Sequence, residues 1–146
     1  MNDCVFCGIV AGTAPATKVY EDDAVCAFLD IRPITRGHTL IVPKQHAGEL
    51  ADLDPDLGAA VFRVGHRLAR AVRHGGLAAD GANLVINDGR AAFQTVGHVH
   101  LHVIPRHDGD KIGLVKGLLL RRPHDTAATA AAIEAGLAAL EEGTQR

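Results

Sequence analysis

His98, His100 and His102 occupy alternate positions in Gly97-His98-Val99-His100-Leu101-His102-Val103-Ile104-Pro105, so a third of the nine histidines in this 146-residue chain fall within five residues. Aliphatic and β-branched residues fill the positions between them, which predicts a strand over Val99 to Ile104. Alternation places all three imidazoles on one face, with neighbours about 6.6 Å apart at a rise of ~3.3 Å per residue. One metal ion can take two neighbouring rings at that spacing but hardly His98 and His102 together, so the three rings are expected to have different tasks. A neutral imidazole is a competent nucleophile, and with an ordinary pKa of about 6.5 roughly three quarters of it is neutral at pH 7. The competing account is a half-polar strand whose histidines merely alternate. It would leave a row of partly buried, mutually repelling imidazoles without compensation.

Other residues have chemistry available but speak less clearly alone. Cys4 and Cys7 are separated by two residues, a spacing suited to a metal knuckle. A redox dithiol is the alternative, yet that pair normally sits between the strand and helix of a βαβ unit, which this sequence lacks. Cys26 lies in an apolar run and reads as a small buried hydrophobe. Asn87, Gln94 and Thr95 are, one by one, ordinary polar loop residues, and Phe28 on its own is explained equally well by core packing.

Together these segments resemble a known family. The His-apolar-His-apolar-His-apolar-apolar pattern in Val96 to Ile104 is the motif of the histidine triad superfamily of nucleotide hydrolases and transferases. Asp30-Ile31-Arg32-Pro33 followed by Gly37-His38-Thr39-Leu40-Ile41-Val42-Pro43-Lys44 resembles its upstream strand pair. Asn87-Asp88-Gly89 with Gln94-Thr95 resembles its phosphate-contacting loop, and Cys4-Val5-Phe6-Cys7-Gly8-Ile9-Val10-Ala11-Gly12 the opening of its zinc-carrying bacterial members. The resemblance covers about residues 3 to 110, leaving about 111 to 146 as a C-terminal extension of one domain spanning 1 to 146.

The resemblance implies a reaction. His100 would attack the α-phosphorus of a nucleotide, displace an amine or phosphate, and leave a nucleotidyl-histidine that water hydrolyses. A backbone carbonyl near the strand would hold one nitrogen of His100 as a donor so that the other presents its lone pair. His102 would donate to a non-bridging oxygen of the same phosphate, and His38, matching the family's fourth histidine, would support the nucleophile from an adjacent strand. Asn87, Gln94 and Thr95 would supply neutral donors where charge gathers. Asp30 would accept from both ribose hydroxyls, since a carboxylate is acceptor-only, and Phe28 with Ile31 would form the slot for the base. Cys4, Cys7, His46 and His98 would bind a structural Zn²⁺ whose charge two thiolates cancel, leaving no open position for hydrolytic water.

Asn87 points to the Hint branch rather than the Fhit branch, where glutamine stands. The implied substrates are therefore purine nucleoside 5′-phosphoramidates, cleaved with release of AMP. Pro105-Arg106 after the triad suggests the alternative of a Fhit-like dinucleoside polyphosphate hydrolase. A zinc-stabilised nucleotide-binding module, binding AMP with little turnover, is the third reading. Phe93, with Ala91 and Ala92, stands where both branches usually carry glycine and is expected to narrow the leaving-group side.

The elements that must position these residues give an α+β fold. A short helix over residues 5 to 11, stopped near Gly12, precedes strands at Thr17 to Tyr20, Ala24 to Leu29 and His38 to Pro43. Asp54-Pro55 supplies an N-cap and first-turn proline for one long helix in which Leu57, Val61, Val64, Leu68 and Val72 recur at helical spacing, ended by Gly75-Gly76. Its opposite face, with Arg63, His66, Arg67, Arg70, Arg73 and His74, reads as solvated, because no aromatic residues accompany it for base stacking. Asn83 to Asn87 and Val99 to Ile104 complete an antiparallel sheet of about five strands, and an alanine-rich helix runs from about Thr126 to Glu142. The helix stripe and Gly117-Leu118-Leu119-Leu120 are expected to form a twofold homodimer contact, as in known members of the family. A formal charge of −2 gives no bulk attraction to nucleic acid or anionic membranes. With no apolar run near the ~18 residues of a membrane span, and no signal-peptide character in Met1-Asn2-Asp3-Cys4, the expected location is cytoplasmic.

Overall fold

The computed structural model describes residues 3–144; Met1, Asn2, Gln145 and Arg146, and with them the first two residues of the supposed leaderless opening, lie outside the described residues. Helix α1 (Val5–Ala11) ends where expected, at Gly12, whose left-handed backbone (φ 81°) returns its N–H to the Gly8 and Ile9 carbonyls. Strands β1 (Lys18–Glu21) and β2 (Val25–Leu29) are joined by a turn in which Asp22 Oδ1 accepts the Ala24 and Val25 N–H groups, each at 2.8 Å. Strand β3 (Thr39–Pro43) leads to α2 (Pro55–Ala71), whose N-cap Asp54 accepts from the Asp56 N–H at 2.8 Å. Then follow β4 (Gly81–Ile86), β5 (Leu101–Arg106), α3 (Lys111–Leu120) and α4 (Thr126–Thr144).

The five strands form one antiparallel sheet in the order β1-β2-β3-β5-β4. Its two faces bury different residues at period two, as alternation requires. Val25, Ala27, Leu29, Ile41, Leu101 and Val103 face α2 and α4, against Val61, Val64, Leu68 and Ile133. Cys26, Phe28, Leu40 and Val42 face the other way, against Phe6 and Ile9 of α1. Contact between α2 and the sheet is close enough that a β-carbon at Gly65 would strike the Leu101 side chain.

Three expectations need correction. The strand begins at Leu101 rather than Val99, because the Val99 N–H turns away to the Ala47 carbonyl (2.8 Å) instead of joining the ladder. The stripe Val61, Val64 and Leu68 is buried within the chain's own core; the sheet face beneath α2 uses it up, so it offers no surface to a second copy. The basic face of α2 is not wholly solvated either, since Arg67 donates to Glu141 of α4 at 2.6 Å and lies 5.8 Å over the Tyr20 ring. Helix α3 was not foreseen: Gly113 and Gly117 interrupt it, its apolar residues follow no helical face, and none of them is buried.

Candidate active site and metal centre

Register places the catalytic candidates. His102 lies opposite Leu40 of β3 and Val85 of β4, and Leu40 opposite Phe28 of β2, so His102 shares the α1 face with both. His100 precedes the strand on the same side, its ring 4.9 Å from that of His102 and 5.1 Å from that of Phe6. Phe6 also meets His98 edge-on at 5.9 Å, so the three histidines do lie on one side of the sheet while two of them serve a different site from the third.

The hydrogen bonds fix which nitrogens carry protons. His100 Nδ1 lies 2.7 Å from the His98 carbonyl, which only accepts. Nδ1 therefore carries the hydrogen, and Nε2 presents a lone pair. The Ile34 N–H donates to His38 Nδ1 at 3.0 Å, so His38 carries its hydrogen on Nε2 and donates it to His102 Nδ1 at 2.9 Å. His102 is left with a hydrogen on Nε2. His38 thus acts on His102, not directly on His100. Asp30 Oδ2 lies 3.7 Å from His38 Nε2, and Asp30 Oδ1 accepts the Arg32 N–H at 2.8 Å.

Electrostatics keep these rings neutral. Burial, then the neighbouring His102, pushes His38 down to about 3. Burial, then His100, pushes His102 down to about 4. Burial also lowers His100, against the opposing effect of its bond to the His98 carbonyl. The Asp30 carboxyl is raised, chiefly by burial. At pH 7 the site holds two neutral imidazoles side by side, His100 with a lone pair on Nε2 and His102 with a hydrogen on Nε2.

Both open into a cavity of about 490 Å³, a volume suited to one nucleotide-sized ligand. Its apolar lining includes Val5, Phe6, Ile9, Phe28 and Leu40, and its polar lining Asp30, Arg32, Thr95, His100, His102 and Arg121. Ile31, 72% exposed, stands at the rim. Val5, Phe6, Ile9, Leu40 and Arg121 were not foreseen. For Phe6 and Ile9 the signal was available, since i, i+3 apolar residues on a short helix share a face; for Arg121 there was none, because α3 itself went unread.

Gln94 does not line the cavity. Its Oε1 accepts the Gly89 N–H at 2.8 Å, and its Nε2 donates to the carbonyls of Gly48 (2.7 Å) and Val96 (2.9 Å). With the amide's two hydrogens committed, it clamps the loop and has no donor left for a phosphate. Asn87 is half-buried just beyond β4 and has no side-chain hydrogen bond among the described residues. Phe93 is 82% exposed in a left-handed conformation (φ 68°) and lies outside the cavity, so it does not narrow the site. Arg106 is tied to Asp110 (2.7 Å) and Asn83 (2.7 Å), a structural account of Pro105-Arg106 that removes its support for the polyphosphate alternative.

Cys4, Cys7, His46 and His98 converge with their ligand atoms within 4.8 Å of one another. Cys4 and Cys7 Sγ lie 3.4 and 3.5 Å from His98 Nδ1, Cys7 Sγ lies 3.3 Å from His46 Nδ1, and His46 Nδ1 lies 3.2 Å from His98 Nδ1. Tetrahedral Zn²⁺ with bonds of about 2.1 Å to nitrogen and 2.3 Å to sulfur needs edges of about 3.3–3.8 Å, so the set fits a metal ion. His98 is oriented for the task, because Nε2 faces the Pro43 carbonyl at 2.8 Å and turns a bare Nδ1 toward the cluster.

Comparison with known proteins agrees. The HIT domain model matches residues 11–109. An uncharacterized HIT-like protein of Mycobacterium tuberculosis, MT1300, is 51% identical over 142 residues, covering 97% of this chain and 98% of that protein. Adenosine 5'-monophosphoramidase HNT1 of Saccharomyces cerevisiae is 39% identical over 114 residues, covering 78% of this chain and 68% of the yeast protein. A zinc-bound histidine triad family protein from Mycobacterium smegmatis, solved by crystallography, superposes with a TM-score of 0.88 at 51% identity, covering 97% of each chain. The triad on its strand, the Cys2His2 cluster and these matches together place the chain in the HIT domain family.

Proposed function

We propose that this protein is a nucleotide hydrolase or nucleotidyl transferase that cleaves purine nucleoside 5′-phosphoramidates at the α-phosphate and releases AMP. The observation that carries the reading is the directed hydrogen-bond chain Ile34–His38–His102, set beside the His98 carbonyl and His100. It presents a lone pair on His100 Nε2 and a hydrogen on His102 Nε2 to one cavity. His100 Nε2 forms a bond to the α-phosphorus, the phosphorus–nitrogen bond of the substrate breaks, and the amine departs with a proton taken from solvent, which the water of the second step returns. Water then attacks the nucleotidyl-His100 phosphorus and regenerates the imidazole. His102 donates to a phosphoryl oxygen, with Thr95, and Asn87 from the neighbouring loop, as neutral donors. Asp30 receives the ribose hydroxyls; Phe28 and Ile31, with Phe6, receive the base. The amine as leaving group is supported by the name of the yeast relative.

Cys4, Cys7, His46 and His98 would hold Zn²⁺, which with four protein ligands would cross-link the N-terminal segment to the triad segment and supply a structural tie. No helix among the described residues is long and apolar enough to cross a membrane. Action in the cytoplasm as a homodimer of single-domain subunits belongs to the same reading. The test is steady-state turnover of adenosine 5′-phosphoramidate against diadenosine polyphosphates, with acid-sensitive trapping of the adduct on His100. AMP binding without turnover of either substrate would reduce the protein to a nucleotide-binding module.

A further inference from the structure

Arg121 stands at the end of α3 with a left-handed backbone (φ 47°), a conformation that helix ends usually give to glycine. Two contacts hold it there. Gly117, one turn earlier, packs so closely that a β-carbon would overlap the Ile34 carbonyl oxygen. Arg121 Nη1 donates to the Arg32 carbonyl at 2.9 Å. The side chain lines the same cavity wall as Asp30, Thr95, His100 and His102. Among the described residues no carboxylate closes an ion pair with it, whereas Arg67 has Glu141 at 2.6 Å and Arg106 has Asp110 at 2.7 Å.

Arg121 is half-buried in the cavity lining, where Asp30 feels its charge without closing a direct ion pair, and its planar fork suits the oxygens of a phosphoryl or sulfuryl group. Thr95 and the neutral His102 orient a phosphate without answering its charge, while Arg32 brings a second, more exposed guanidinium to the same lining. We infer that Arg121 is a substrate-binding residue that pairs with an anionic oxygen of the nucleotide substrate. This rests on the proposed nucleotide reading and adds a charge requirement to it. That oxygen belongs either to the α-phosphate or to an acidic leaving group.

The test uses the full chain, with Arg121→Met and Arg121→Lys, titrated calorimetrically with AMP and with adenosine. With the paired oxygen on the α-phosphate, the methionine variant should bind AMP about tenfold or more weakly, as expected for a lost charge-assisted hydrogen bond. Lysine should restore part of the loss, and adenosine binding should not change. Turnover locates the oxygen: equal losses of kcat/KM for adenosine 5′-phosphoramidate and adenosine 5′-phosphosulfate, with weaker AMP binding, place it on the α-phosphate. A loss confined to the phosphosulfate places it on the leaving group. Gly117→Ala keeps the guanidinium but displaces α3, and should weaken the anionic ligand in the same direction. AMP binding and both kcat/KM values unchanged in Arg121→Met would overturn the assignment, as would adenosine weakened as much as AMP. Wild type that fails to bind AMP removes the nucleotide reading itself; AMP binding and both kcat/KM values that ignore Arg121 remove only this residue's role.

Discussion

At the scale of single residues, the site depends on where protons sit. Replacing His100 by alanine removes the one lone pair aimed into the cavity from outside the sheet ladder, so kcat should fall by at least tenfold, with AMP still bound and the fold intact; retention of more than a tenth of wild-type kcat would exclude covalent catalysis through it. Asp30 makes a second, independent expectation. Its Oδ1 already takes the Arg32 N–H, so removing a ribose hydroxyl leaves acceptor capacity buried and unpaired. The ribonucleotide should bind about 5- to 150-fold more tightly than the 2′-deoxyribonucleotide, equivalent to ~1–3 kcal/mol, and equal affinities would take Asp30 out of the ribose site. A third expectation concerns stability. With His38 held down to about 3 and His102 to about 4, against about 6.5 when unfolded, the unfolded chain binds more protons than the folded one between about pH 4 and 6.5. Stability therefore falls as pH drops through that window. His38→Gln removes one of the two rings, and denaturant melts should show a shallower fall from pH 7 to pH 5 than wild type; matching slopes would contradict the assignment of neutral buried rings.

At the scale of elements, α1 carries two ligands of the candidate metal centre and, between and beyond them, Phe6 and Ile9 of the cavity wall. The candidate metal centre and the cavity are thus coupled through one short helix. Cys4→Ser or His46→Ala should remove stoichiometric zinc and lower the thermal midpoint, with activity lost mainly through unfolding, because structural metal binding contributes directly to folding free energy. Metal analysis of untagged protein checks this, and a stable, active, metal-free wild type would return the cysteines to a structural or redox role. The same helix shows what was legible in the sequence. Its end at Gly12, the cap at Asp54, the apolar runs of β2 and β3 and the alternation of the triad are local signals, and each is readable. Gln94 was misplaced because a loop clamp and a phosphate donor use the same amide group, and only the positions of Gly48, Gly89 and Val96 in space separate them. Phe93 was misread because its left-handed backbone turns the ring outward, which residue type does not announce. Arg121 lay beyond reach since α3 buries nothing and so has no periodic face.

At the scale of the whole molecule, the two sheet edges are treated differently. Edge strand β1 is blunted by charge, with Lys18 and Lys44 both paired to Glu21 at 3.3 and 3.0 Å. Edge strand β4, Gly81–Ile86, has no charged residue, and Val85 and Ile86 are 39% and 40% exposed. An open apolar edge of this kind invites uncontrolled pairing unless something covers it. Phe62, on the helix that crosses this sheet, is 58% exposed, and α3 leaves Ile112, Val115 and Leu118 to Leu120 in solvent. The stripe Val61, Val64 and Leu68 is spent inside the subunit, so the proposed twofold contact is assigned to the exposed apolar residues of β4, with Phe62 and α3 as further candidates. An isologous arrangement satisfies the β4 edge of both copies at once. Sedimentation at micromolar concentration should therefore show a species of twice the 15.3 kDa chain mass. Val85→Lys, a charge placed on the open edge and away from the buried core, should shift it toward monomer without lowering the thermal midpoint of the subunit. A wild-type chain that sediments as a monomer while fully active would defeat the proposed dimer.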